Sequence, residues 1–139
     1  MSRENVEVVR QLYAAINRGL HANAVTDEAL TIVFDPEIEV RQLAALAGTA
    51  GTFHGYKGLR ELQTEVDESL RDHRYELAEH AAAGNRVGFR VKAVGVGRAS
   101  GVPAELWVGH LFELADGRIK RWLVYADPEE ALEAVGLSE

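Results

Sequence analysis

The stretch that decides the fold is Val102-Pro103-Ala104-Glu105-Leu106-Trp107-Val108-Gly109-His110-Leu111-Phe112-Glu113-Leu114. A β-strand sends successive side chains to opposite faces. Its even-numbered face then carries Val102, Ala104, Leu106, Val108, His110, Phe112 and Leu114. The other face carries Pro103, Glu105, Trp107, Gly109, Leu111 and Glu113. One long strand with an apolar face is therefore expected, and His110 is the polar residue on that face. Turn dipeptides bound it, Ser100-Gly101 before and Asp116-Gly117 after, the second a strong hairpin signal.

Working outward, Val87, Phe89, Val91 and Ala93 mark one face of the preceding strand. Tyr75, Leu77 and Ala81 mark the strand before that, which ends at Gly84-Asn85. Ile119 to Ala126 forms the last strand. Upstream the period changes. Val6, Val9, Leu12, Tyr13 and Ile16 recur every three or four residues, the stripe of an amphipathic helix. Ser2 reads as its N-cap, Glu4 suits its first turn, and Gly19 reads as its stop. A second helix starts near Thr26 and ends at Pro36. Glu37 to Leu43 alternates as a half-buried strand, with Ile38, Val40 and Gln42 on one face. Ala44 to Thr52 is small and Gly-rich and reads as a loop. Leu59, Leu62, Val66 and Leu70 predict a helix from about Lys57 to Arg71. At the end, Asp127, Pro128 and Glu130 form the cap, first position and capping-box acid of a short helix.

The predicted order is α-α-β-α-β-β-β-β-α, an α+β chain read as one domain over residues 1–139. Long strands joined by short hairpins must twist and coil. An antiparallel sheet curved in this way, with helices on its concave side, leaves a blind pocket between the layers. At 139 residues, 47% hydrophobic and 27% charged, the chain can bury a real core. Its net charge of −7 argues against nucleic acid or an anionic membrane surface as the main partner. The chain has no cysteine, so thiolate catalysis, thiolate metal sites and disulfides are excluded. No run approaches a membrane span, and the polar N-terminus lacks a signal peptide's apolar stretch. A cytoplasmic location is the expectation.

Several segments, in order along the chain, carry a family resemblance. They are Val8-Val9-Arg10-Gln11-Leu12-Tyr13-Ala14-Ala15-Ile16-Asn17-Arg18-Gly19 and Phe34-Asp35-Pro36-Glu37-Ile38-Glu39-Val40. Phe53-His54-Gly55-Tyr56-Lys57-Gly58-Leu59-Arg60-Glu61 follows. The last are Leu111-Phe112-Glu113-Leu114-Ala115-Asp116-Gly117-Arg118-Ile119 and Tyr125-Ala126-Asp127-Pro128-Glu129-Glu130-Ala131-Leu132. Together they resemble the SnoaL-like polyketide cyclase group of the nuclear transport factor 2-like, ketosteroid isomerase-like superfamily. The resemblance implies a cone-like roll. It does not choose an activity, because one fold hosts many chemistries.

The resemblance implies roles that can be tried residue by residue. Against ketosteroid isomerase-like members, Tyr13 takes the place of the helix-one oxyanion donor and His110 that of the second donor. The base position falls near Gln42, and an amide cannot act as a base near neutral pH. Against limonene epoxide hydrolase-like members, the Asp-Arg-Asp positions hold Ala93, Gly95 and Val124, which disfavours that reaction. Against the cyclases, His110 is the acid–base candidate, with no aspartate placed beside it. His110 and Tyr13 each keep a second reading, as a buried histidine bonded to Tyr13 or to a backbone carbonyl and as a core tyrosine.

The expected ligand wall is Val40, Gln42, Leu106, Val108, Phe112, Trp122 and Val124. His21, His54, His73 and His80 read as surface residues without metal-ligand spacing. Arg90, Lys92, Arg98 and Arg121 read as solvated strand charges. Trp107 and Leu123 are expected on the outer sheet face, which suits a homodimer of the kind many relatives form. The function expected is a pocket for an apolar small molecule. It would serve either a cyclase or isomerase using neither cofactor nor metal, or a non-catalytic binding or dimerisation module.

Overall fold

The computed structural model describes residues 2–19, 27–46 and 49–136. Helix α1 spans Ser2–Gly19 and α2 Asp27–Val33. Strands β1 (Phe34–Leu46) and β2 (Thr49–His54) follow, then helix α3 (Gly55–Ser69). Four strands come next: β3 (Leu70–Ala83), β4 (Arg86–Gly97), β5 (Pro103–Ala115) and β6 (Arg118–Tyr125). Helix α4 covers Pro128–Gly136. The strands form one sheet in the order β2-β1-β6-β5-β4-β3. Among the described residues no helix is long and apolar enough to cross a membrane.

The α+β layout agrees with the expected one, with four local corrections. First, β2 occupies part of the stretch read as loop. It pairs with β1 through Val40↔Phe53 and Gln42↔Gly51. Backbone pairing at a sheet edge needs no apolar alternation, so a small, Gly-rich strand leaves little trace in the pattern. Second, β1 lies parallel to β6, with Val40 opposite Trp122 and Gln42 opposite Val124, so the sheet is mixed rather than wholly antiparallel. Parallel neighbours need a long crossover, and here everything from β2 to β5 supplies it. Third, α2 stops at Val33, not at Pro36. Phe34 already pairs with Ile119, and Pro36 lies inside β1. Fourth, α3 begins and ends two residues early. Leu70, read as helical, is extended and pairs with Gly97. Ser2 is the first residue of α1 rather than a cap outside it. The expected cap at Thr26 lies outside the described residues.

Other local signals agree. Asp116 and Gly117 both take positive φ, 54° and 80°, as a tight hairpin turn requires. The Asp127 carboxylate accepts from the Glu129 backbone N–H at 2.9 Å at the start of α4.

The main core lies on the inner face. Val9, Leu12 and Tyr13 of α1 share one buried cluster with Val87, Phe89 and Val91 of β4 and Val108 and Phe112 of β5. Each such burial contributes about 1.5–3 kcal/mol. The outer face is partly covered by α4, whose Ala131 and Val135 cluster with Leu111 and Leu123. Gly109 makes that close approach possible. A Cβ there would stand 2.5 Å from the Ala131 Cβ and 2.9 Å from the Pro128 Cα. Leu123 is thus covered by the chain's own helix. Trp107 keeps 42% exposure on the outer face, where the Arg90 guanidinium sits 5.2 Å from its ring.

Candidate functional site

A cavity of about 280 Å³ lies between the inner sheet face and helices α1 and α3. Ile16 lines it from α1, and Leu59, Leu62, Gln63, Val66 and Asp67 line it from α3. The sheet supplies Val40, Gln42, His73, Tyr75, Ala93, Leu106, His110, Trp122 and Val124. The exposed Ala104, Glu105 and Leu106 of β5 also line it, so this end is the mouth. The volume is near the lower end of small-molecule sites, roughly 300–1,000 Å³.

His110 sits on the inner wall, 1% exposed. Its Nδ1 lies 2.7 Å from the Tyr13 hydroxyl. Aromatic rings surround it, with Tyr75 edge-on at 5.1 Å and Trp122 edge-on at 5.3 Å. Burial, with a smaller contribution from His73, pushes its pKa down to about 3, so the ring is neutral at pH 7. Burial also raises the Tyr13 phenol well above its ordinary range, Tyr75 adding to the effect, so Tyr13 keeps its proton. That proton needs an acceptor, and the hydroxyl's hydrogen bond among the described residues is the one to His110. Tyr13 therefore donates to Nδ1, and the ring's own N–H is at Nε2. The pair delivers one neutral, oriented N–H donor to an apolar cavity.

Of the residues expected to form the site, His110, Val40, Gln42, Leu106, Trp122 and Val124 line the cavity together. Tyr13 stands behind His110 and reaches the cavity only through it. Val108 and Phe112 do not line it. Both are fully buried, and Phe112 is packed against the Tyr13 and Trp122 rings. Strand parity was right for both, but α1 covers that part of the wall with core.

Three residues that the sequence reading missed also line the cavity. His73 does so in place of a surface position, and burial lowers its pKa to about 4, against an opposing pull from Asp67. Period-two spacing back from Tyr75 would have put His73 on the inner face, had the strand been started earlier. Asp67 supplies a carboxylate that had not been found, whereas Glu105 lines the mouth with its carboxylate 3.9 Å from the Lys92 Nζ, beside Trp107 on the outer face. Asp67 follows Gln63 by four residues on the flank of the α3 stripe, and that spacing is its only sequence signal. Arg98, read as a solvated strand charge, lies in the β4–β5 turn and holds Asp67. Its Nη2 is 3.2 Å from the carboxylate, and its Nε donates to the Asp67 backbone carbonyl. Arg121 likewise pairs with Glu113 and Glu39. His54 and His80 are exposed, as expected, and His21 lies outside the described residues. Two lining residues carry a buried polar atom without a hydrogen-bond partner among the described residues, the Trp122 Nε1 and the Gln63 Oε1.

With that geometry established, likeness to known proteins decides the family. The SnoaL-like domain family matches residues 9–122. The chain belongs to it. Solved structures with the nuclear transport factor 2-like and ketosteroid isomerase-like fold superpose on the chain. A protein of unknown function with this fold from Burkholderia pseudomallei K96243 superposes with a TM-score of 0.75 at 21% identity, covering 99% of this chain and 100% of that one. TerC, co-crystallised with polyporic acid, superposes at 0.74 with 22% identity over 94% and 98% of the two chains. SalBIII, described as an epoxide hydrolase/cyclase-like enzyme of pyran ring formation in salinomycin, gives 0.70 at 15% identity over 88% and 90%. At these identities the superpositions establish the SnoaL-like fold and no particular reaction. No curated protein sequence matches the chain.

Proposed function

We propose that this SnoaL-like protein binds one apolar small molecule bearing a ketone or enol oxygen, and cyclises or isomerises it by acid–base chemistry without a cofactor. The observation that carries the reading is the Tyr13–His110 pair at the cavity wall, in which Tyr13 occupies Nδ1 and leaves Nε2 to carry the ring's proton for a ligand. A preorganised neutral donor suits an oxygen that gains charge as a reaction proceeds. The cavity has room for roughly ten to fifteen non-hydrogen atoms at protein packing density. TerC binds a small molecule and SalBIII acts in ring formation, which supports a ligand pocket and makes ring chemistry a natural choice for this chain. Non-catalytic binding is the second reading, favoured by Gln42 at the position where isomerase relatives would place their base. Ala93, Gly95 and Val124 at the Asp-Arg-Asp positions leave epoxide hydrolysis disfavoured.

The oxygen requirement can be tested with a matched pair of probes. Isothermal titration with 2-tetralone and with tetralin, the same skeleton without the oxygen, should show the ketone binding about tenfold tighter, one good hydrogen bond's worth. His110→Phe should erase the difference while leaving tetralin binding in place. Equal binding of ketone and hydrocarbon by the wild type would remove the donor role.

A homodimer formed through the outer sheet face is also proposed. The exposed Trp107 on that face supports it, whereas Leu123 does not contribute because α4 covers it. Light scattering at micromolar concentration should give twice the chain mass, and a monomer would end this proposal.

A further inference from the structure

Strand β3 breaks its own register next to His73, which shares the inner face with Tyr75. Arg71 pairs with Val96 and Arg74 with Val94, so three steps on β3 face two on β4. This is a bulge, with one extra residue in β3. Asp72 in the bulge takes a left-handed φ of 56°, a conformation that L-residues usually avoid. The geometric result is specific. Leu70 and His73 are three residues apart and would face opposite sides of a regular strand. Across the bulge both line the cavity. The His73 ring then packs edge-on against Tyr75 at 4.7 Å, and Tyr75 packs edge-on against His110 at 5.1 Å.

Asp67 lines the same cavity from the last turns of α3, and Arg98 holds it by both its carboxylate and its backbone carbonyl. The Arg98 N–H is itself bonded to the Ser69 carbonyl at 3.0 Å. The end of α3 is thus fixed to the β4–β5 turn around Asp67. The carboxylate is thereby engaged by Arg98. Its useful part is its field, which steadies a positive charge on a nearby ring.

We propose that His73 is the proton acceptor of this cavity, with Asp67 as its positioning residue, and that it works opposite His110 on a substrate with an acidic C–H beside a carbonyl. This rests on the pocket reading above and adds the base that reading lacks. A free nitrogen of His73 takes the proton from the carbon next to the carbonyl. The C–H electron pair becomes the new C=C bond, and the carbonyl π pair moves to oxygen, where the His110 Nε2–H holds it. Where a second C=C of the substrate is conjugated with this enolate, returning the proton to its far carbon gives an isomer. Attack of the enol carbon on a second carbonyl of the same molecule closes a ring, and His73 gives its proton to the new alkoxide. No oxidant or reductant is needed. The neutral state that burial imposes on His73 is the form able to accept a proton.

The test is hydrogen–deuterium exchange at the α-carbons of 2-tetralone in D₂O, followed by proton NMR with the full chain, alongside titration of 2-tetralone binding. The wild type should speed exchange above buffer. His73→Gln, and His73→Phe, which keeps a ring against Tyr75, should bind the probe within about threefold of wild type, well under one hydrogen bond's worth, but lose about 100-fold of the enzymatic exchange. Asp67→Asn should shift the acid limb of the exchange profile to lower pH, and Asp67→Glu should restore it. The other titratable groups facing this space are Tyr75 on β3 and His110 on β5, with Arg98 behind Asp67 and Glu105 at the mouth beside Lys92. None of them is altered in these variants. Tight binding with no exchange above buffer, or exchange unchanged in both His73 variants, overturns this proposal and leaves the pocket reading standing. Failure of the wild type to bind 2-tetralone overturns both.

Discussion

Acidification from pH 7 to pH 4 should cost the protein roughly 3 kcal/mol of stability through His110 alone, with a comparable loss through His73. Burial holds the two rings at about 3 and about 4, below the ordinary histidine value of about 6.5. The unfolded chain therefore binds these protons first. The contribution is complete above about pH 6.5 and is lost as pH falls through the window down to the folded values. Against a total of about 5–15 kcal/mol for a domain, that loss puts acid unfolding near pH 4. Urea titrations at pH 7, 5.5 and 4.5 measure it. In His110→Gln the slope of stability against pH should fall markedly, whatever the variant's absolute stability. A wild-type slope that stays flat over this range, or one that His110→Gln leaves unchanged, would refute the burial of a neutral ring.

Phe112→Ala should destabilise the fold by about 3–5 kcal/mol, whereas Leu106→Ala should cost about 1 kcal/mol or less. The two residues occupy the same face of the same strand. Phe112 is fully buried, with ring contacts to Tyr13 at 5.9 Å and Trp122 at 5.1 Å, so truncation leaves a hole that those neighbours cannot fill. Leu106 is 49% exposed at the cavity mouth, so its truncation mostly exchanges one wet surface for another. Its effect should appear in ligand affinity rather than in folding. Chemical denaturation of both variants separates the two cases, and equal costs would contradict the division of β5 into core and mouth.

That division marks how far the sequence can be read. Alternation along Val102–Leu114 assigned the inner face of β5 correctly, and the stripe through Val9, Leu12, Tyr13 and Ile16 assigned the inner face of α1. It could not say which inward residues would meet core and which would meet space. Val108 and Phe112 were expected in the pocket wall for that reason, and both lie in the core. His73 was missed for a different one. Its inward direction follows from alternation with Tyr75, but the strand was read as starting at Tyr75, because the bulge at Asp72, set by pairing with β4, breaks the alternation just before it. Asp67 lay on the flank of a helical stripe, where a solvated carboxylate and a pocket carboxylate look alike until the opposite wall is in place.

The sequence by itself determined the local periods, the main turns and the face on which His110 lies, because these follow from the geometry of one segment and its neighbours in the chain. Tertiary structure alone decided the hydrogen bond between Tyr13 and His110, 97 residues apart, and with it the tautomer that leaves an N–H for a ligand. It also decided the parallel pairing of β1 with β6 and the meeting of Asp67, His73 and His110 around one cavity. Burial, field and proton position belong to groups brought together from distant segments, and a chain acquires them only when its layers close.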